Sequence, residues 1–207
     1  MKYFFLIFIL LIIYTENNSA QILKRKASYL SIYAGNLRVQ SKNFQSIYGS
    51  SDGLILGIST GIATSNRITI QGAFSYFGKE SSYFTKGNII EENTAIFKQL
   101  IFNGGVQYHL IPQSIFNISL LTGITFSLID EESKNAQSEF IYENEGFGNF
   151  GIYGGISSEV SLAKGPIALF GELKYLYSWN SMLANDDSYS ALMATAGIRI
   201  YPSKRWR

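Results

Sequence analysis

The feature that most constrains this chain is an alternation of apolar and polar side chains that recurs along most of its length and leaves one face almost wholly apolar. From Arg67 to Gly78 the even positions are Ile68, Ile70, Gly72, Phe74 and Tyr76, against Thr69, Gln71, Ala73 and Ser75 on the odd ones. Period two is the spacing of a strand whose two faces meet different media, because successive side chains point to opposite sides. Between Lys98 and Leu110 the pattern returns, with Leu100, Phe102, Val106 and Tyr108 opposite Gln99, Asn103, Gln107 and His109; Ile101 is the exception. Phe116 to Leu128 sets Phe116, Ile118, Leu120, Ile124 and Phe126 against Asn117, Ser119, Gly123, Thr125 and Ser127. Phe150 to Leu162, Ile167 to Trp179 and Tyr189 to Tyr201 continue the series, and Gly53 to Ala63 and Ser28 to Val39 bring the predicted strands to eight.

The connections alternate in length. Short ones lie near Thr64 to Asn66, Ile111 to Ile115 and Ala163 to Pro166, and long polar ones near Gln40 to Asp52, Lys79 to Thr94, Ile129 to Asn149 and Asn180 to Ser188. That is the signature of an up-and-down transmembrane barrel, with short periplasmic turns and longer loops outside. A soluble ligand-carrying barrel would turn its apolar residues inward and its charges outward. Here charged residues are only 15% of the chain, against roughly 25% in soluble domains, and the apolar faces are too continuous for water. Backbone amides and carbonyls cannot stay unpaired in hydrocarbon, so a β protein in a bilayer must close on itself. The expected fold is therefore all-β: a single closed antiparallel transmembrane barrel of about eight strands, one domain over residues 21–207.

Lys2, the twelve-residue apolar run Tyr3 to Tyr14 and the small polar end Thr15 to Ala20 have the layout of a secretory signal peptide, expected over residues 1–20 with cleavage after Ala20. The run is shorter than the roughly 20 residues of a membrane-spanning helix. Export and barrel together imply the outer membrane of a Gram-negative bacterium. Seventeen Lys and Arg against fifteen Asp and Glu give a formal charge of +2, no basis for a nucleic-acid partner. Cysteine is absent and His109 is the single histidine, so neither a metal site nor a cofactor is expected.

Threading the strands up and down sorts aromatics on the apolar face into two levels: Phe74, Tyr76, Phe126, Phe150, Tyr175, Tyr177 and Trp179 toward the loop ends, and Tyr108, Phe116 and Tyr201 toward the turn ends. Interfacial girdles have this placement. On the opposite face, Glu159, Glu172, Lys174 and Arg199 fall on the last three strands, and buried charges need partners, so an ion-pair network across the lumen is expected. An eight-stranded barrel is just wide enough for side chains to fill, making that network a plug; a narrow ion path along the charges is the alternative. A lipid-active enzyme would need His109 as its base. His109 is expected as a solvated residue at the turn-end rim, with Ser114 the nearest hydroxyl in sequence and no nucleophile motif beside it. The segment Asp130 to Asn149 carries Asp130, Glu131, Glu132, Glu139, Glu143 and Glu145 and reads as a solvated loop, with cation or partner binding as the alternative.

The last strand carries a polar residue, a glycine and terminal apolar and aromatic residues, Thr195, Gly197, Ile200 and Tyr201. In this, and in its layout over nearly the whole mature chain, the sequence resembles the small outer-membrane β-barrel domain family of OmpX and the transmembrane part of OmpA. The resemblance implies a noncatalytic barrel embedded in outer-membrane lipid, recognised by the barrel-assembly machinery through its C-terminal strand. With the walls facing lipid and the core filled, specificity falls to the loops, so the expected role is structural or surface interaction with an extracellular partner at the loops.

Overall fold

In the computed structural model, residues 28–86, 90–112, 115–134, 140–162, 166–179 and 189–202 are described. The expected signal segment 1–20, Ser114, Glu139, the loop 180–188 and the tail 203–207 lie outside the described residues, as do the side chains of Glu143 and Glu145. Eight strands follow one another around a closed barrel: β1 (Ser28–Val39), β2 (Asp52–Ala63), β3 (Ile68–Lys86), β4 (Ile90–His109), β5 (Phe116–Lys134), β6 (Phe140–Ser161), β7 (Ile167–Ser178) and β8 (Ala191–Ile200). Every neighbouring pair is antiparallel, and β8 pairs with β1 from Leu30 with Ile200 to Val39 with Ala191, which closes the sheet. No edge runs the length of the barrel, so its backbone groups are paired all the way round.

The barrel is inside-out relative to a soluble protein. Leu30, Ile32, Leu54, Ile58, Ile70, Ile124, Ile152, Leu169 and Ile198 are exposed on its outer wall, whereas Gln71, Gln107, Ser119, Glu172, Lys174 and Arg199 are buried inside. Soluble monomers do not carry apolar patches beyond a few hundred Å²; this belt runs around every strand. Ile101, the exception to alternation, points inward and is fully buried beside Leu121, Leu176 and Met193.

The barrel departs from the sequence reading above its loop end. The stretches read as loops over Lys79 to Thr94 and Ile129 to Asn149 are largely strand: β3 stays paired with β4 from Gly78 with Lys98 to Lys86 with Ile90, and β5 with β6 out to Lys134 with Phe140, through two register shifts. The nine residues Gly78–Lys86 add roughly 25–30 Å of strand. Alternation breaks there because the outward positions turn polar, with Glu80, Ser82, Asp130 and Glu132, and no longer contrast with an inward face that itself carries Lys79, Ser81 and Glu131. The loop Gln40 to Asp52 contains a helix, α1 (Lys42–Tyr48), whose N-cap Ser41 accepts a hydrogen bond from the Phe44 amide at 3.1 Å. It ends at Gly49, whose φ of 70° is the left-handed C-terminal cap that glycine adopts without strain.

Two tyrosines of β1 are accommodated by glycines of β2. A Cβ on Gly57 would lie 2.4 Å from the Tyr33 ring, and one on Gly61 2.3 Å from the Tyr29 ring. Gly104, on the outer wall, has nothing within 4 Å of such a Cβ. Gly57→Leu should therefore cost roughly 1–3 kcal/mol by overpacking, while Gly104→Ala should be neutral or stabilising by about 0.5–1 kcal/mol. Urea titration of the barrel folded into lipid vesicles measures both; equal effects at the two positions would contradict the packing described.

Candidate functional site

Arg199 sits at the centre of the lumen's charged cluster, fully buried. Its Nη1 donates to Glu159 Oε2 at 2.7 Å and its Nη2 to Glu172 Oε1 at 2.5 Å. Glu172 Oε2 in turn lies 2.6 Å from Lys174 Nζ. The four side chains arrive from β6, β7 and β8, and the register explains the assembly: Ser157 pairs with Glu172, and Glu172 with Thr195, so inward residues of the three strands lie side by side. Two acids meet two bases, and the cluster is formally neutral. The guanidinium carbon lies 4.5 Å from the Tyr29 ring centroid and 4.3 Å from that of Phe170, within cation–π range of both.

Tyr201 belongs to this cluster and not to the turn-end girdle in which the sequence reading placed it. Its hydroxyl donates to Glu159 Oε1 at 2.6 Å, and its ring meets Tyr29 edge-on at 5.9 Å. The cause is parity: Tyr201 is two residues beyond Arg199 and falls on the same inward face. Tyr29 and Tyr33, which blur the alternation of β1, are likewise inward; the Tyr29 hydroxyl donates to Gln71 Oε1 at 3.2 Å, and that of Tyr33 lies 2.6 Å from Ser75 Oγ.

His109 is also inward and not a solvated rim residue: it is 5% exposed. Its Nε2 is 3.0 Å from Thr69 Oγ1, and its Nδ1 is 2.9 Å from Ser119 Oγ and 2.5 Å from Asn117 Nδ2. It shares the odd face with Gln107, and the β4–β5 ladder holds it directly opposite Ser119. Ser119 had no motif to mark it; only the register brings it to His109.

At the loop end, α1 closes the lumen. Phe44 and Tyr48 are buried against Phe97 of β4, with ring centroids 4.9 and 5.6 Å away, and Phe97 stacks on Tyr189 at 5.9 Å. Lys79 Nζ fastens the helix exit, donating to Ser50 Oγ at 2.6 Å and to the Asp52 carbonyl at 2.7 Å. Beneath this aromatic cap a cavity among Gln99, Thr125, Asn149 and Ser178 measures about 10 Å³, room for about one water. A larger hollow of about 570 Å³ is bordered by the outward side chains of Ala34, Ile118, Ile156, Leu173 and Ala196 and therefore belongs to the outer wall.

Of the residues assigned to the girdles, Phe74, Tyr76, Tyr108, Phe150, Tyr175, Tyr177 and Trp179 are exposed on the outer wall; Phe116 and Phe126 are half-buried. Phe102, not assigned there by sequence, completes a row. Phe74, Phe102, Phe126 and Phe150 are consecutive cross-strand partners, with ring centroids 5.0, 6.2 and 4.7 Å apart. Beyond the row, β2 stays paired with β3 as far as Ile55 with Phe77, and the β3–β4 ladder continues from Gly78 with Lys98.

No protein-family model matches the chain, and no curated protein matches it. Solved structures do. Outer membrane protein OprG from Pseudomonas aeruginosa superposes with a TM-score of 0.56 at 12% identity, over 87% of this chain and 98% of that one. Neisserial surface protein A gives 0.53 at 14% identity, over 85% and 97%. A major outer membrane protein from Thermus thermophilus gives 0.52 at 10%, over 84% and 98%. At such identities the likeness is one of fold, and that fold is the small outer-membrane β-barrel.

Removing one member of the buried cluster should cost more than the cluster itself contributes, because it strands a charge. Arg199→Met leaves Glu159 without its cation and Glu172 with Lys174 alone, and should destabilise the folded barrel by roughly 3–5 kcal/mol. Glu159→Gln, which leaves Arg199 paired with Glu172, should cost distinctly less. Equilibrium unfolding in vesicles checks the order; equal costs would mean that Arg199 is not the hub.

Proposed function

We propose that this chain is an outer-membrane protein of a Gram-negative bacterium, exported by the segment 1–20 and inserted through assembly machinery that reads its last strand. Its barrel is a noncatalytic pedestal, and its work is done by the sheet that β3–β6 raise beyond the lipid. The observation that supports this reading best is the lumen. It is capped by α1 and the Phe97–Tyr189 stack at one end, crossed by the neutral Glu159–Arg199–Glu172–Lys174 cluster at the other, and packed with Leu37, Ile55, Ile101 and Met193 between. A water-filled path would need a continuous polar channel past these groups.

The enzyme alternative would need His109 on the membrane-facing side, within reach of lipid. His109 faces the lumen instead, so its contact with Ser119 is a buried hydrogen bond away from any lipid substrate. The surface offered to a partner is the sheet that β3–β6 continue at the loop end together with its connections, and paired strands hold such a surface in place. Outer-membrane lipid surrounds the barrel, and an extracellular partner meets the wall.

The closed-pedestal reading is tested by reconstituting the mature chain in planar bilayers at neutral pH. No steady conductance is expected. A reproducible open level would reverse the reading in favour of a narrow pore.

A further inference from the structure

The hollow on the outer wall is not a random depression. Ser158, Gly171, Ala196 and Ala34 are consecutive cross-strand partners on β6, β7, β8 and β1, and together they form one transverse row of small side chains. Directly below, toward the turn end, the next row is Val160, Leu169, Ile198 and Ile32, all large and exposed. Leu173 and Ile156 rise above it on β7 and β6, and Ile118 closes it at β5. The result is a hollow of about 570 Å³, one row deep at β6 and β7 where Ile156 and Leu173 overhang it, and open upward at β8 past Ala194.

Internal packing does not require this shape. A Cβ on Gly171 would meet Ser158 Oγ at 3.7 Å and the Thr195 carbonyl oxygen at 3.8 Å, ordinary contacts that leave room for a side chain. A glycine inside a strand is unfavourable for the backbone, so its smallness serves the exterior. The trough spans three inter-strand steps of about 4.8 Å, roughly 14 Å, enough to seat a stretch of extended acyl chain lying obliquely along the wall. At its β1 end it opens upward past Ala194 and Asn36 to Arg38, which lies in the cross-strand row of Tyr175 and Leu192. Arg38 is exposed and, among the described residues, its one ion-pair contact is a long one of 3.9 Å to Asp52, itself exposed, so its guanidinium is open to another anion.

We infer that this trough is a lipid site: one acyl chain lies across Ala34, Ala196, Gly171 and Ser158, and the anionic phosphate headgroup of the same lipid sits at Arg38. This goes beyond the proposed function and rests only on the barrel's placement in a membrane. A second copy of the chain fits less well. Rows run perpendicular to strands that tilt by about 35–45°, so two such walls face to face would cross their ridges instead of nesting them. A flexible chain has no such constraint.

The test is native mass spectrometry of the mature chain folded into vesicles of phosphatidylcholine with phosphatidylglycerol, then released into mild detergent. Insertion is checked first by the shift of the unboiled band on a gel, so failure to insert would overturn the membrane reading itself and this site with it. The inserted wild type should retain one phosphatidylglycerol in preference to phosphatidylcholine. Gly171→Leu and Ala196→Val, which fill the trough from outside, should each lower retention roughly tenfold, whereas Gly104→Leu on the opposite wall should leave it unchanged. Arg38→Ala should abolish the preference for the anionic lipid while a phosphatidylcholine adduct persists. Retention that survives both trough variants, or falls equally with Gly104→Leu, would overturn the site; equal retention of the two lipids by the wild type would overturn the role of Arg38.

Discussion

Every level of this structure depends on backbone pairing that leaves no amide or carbonyl unmatched on a wall that faces a nonaqueous medium. In water, an unpaired edge costs little because solvent satisfies it; in hydrocarbon, each such group costs several kcal/mol. The β1–β8 ladder from Leu30 with Ile200 to Val39 with Ala191 is therefore what permits the other seven ladders to sit in lipid. It also fixes the side chains. Once the sheet is closed, period two sends every second residue into a narrow lumen and every other one into the bilayer, with no third place to go.

The lumen chemistry follows from that sorting. Polar and charged side chains sent inward lose their water, so the charged ones among them are held by partners of opposite charge. Arg199 meets this demand with two carboxylates and two aromatic faces, and Lys174 takes the remaining oxygen of Glu172. Such a cluster is not a strong source of stability, since the desolvation of four charges offsets most of their attraction. Its consequence is occupancy: four bonded side chains and the rings of Tyr29 and Phe170 fill this level of the lumen.

Within the membrane the strands were legible because two media sort the side chains; beyond it they were not. Lys79 to Lys86 and Ile129 to Lys134 read as loop because their outward positions are polar and the contrast between the two faces is lost, although their backbones continue the same ladders. The helix α1 had a signal, with Ser41 and Gly49 as caps and Phe44, Ile47 and Tyr48 at helical spacing, but seven residues are too few for periodicity to stand out. Alternation alone put Glu159, Glu172, Lys174 and Arg199 on one face, whereas their contacts are a matter of register. Tyr201 was readable from its parity with Arg199 and was misassigned because aromatic character at a strand end was given more weight than position. Ser119 beside His109, and the small-residue row from Ser158 to Ala34, exist only across strands, and no single strand announces them.

The account stands or falls on which face of the strands meets lipid. The most direct measurement is a cysteine scan along β5, from Ile118→Cys to Phe126→Cys one position at a time, in the otherwise cysteine-free chain folded into vesicles, with a nitroxide attached at each site. Collision rates with oxygen, which concentrates in lipid, and with a water-soluble nickel complex are then compared. Positions 118, 120, 122, 124 and 126 should show high oxygen and low nickel accessibility, and 119, 121, 123 and 125 should be shielded from both. High nickel accessibility at the even positions, or lipid contact at the odd ones, would mean that the apolar wall is not the outer one, and the barrel described here would be wrong at its foundation.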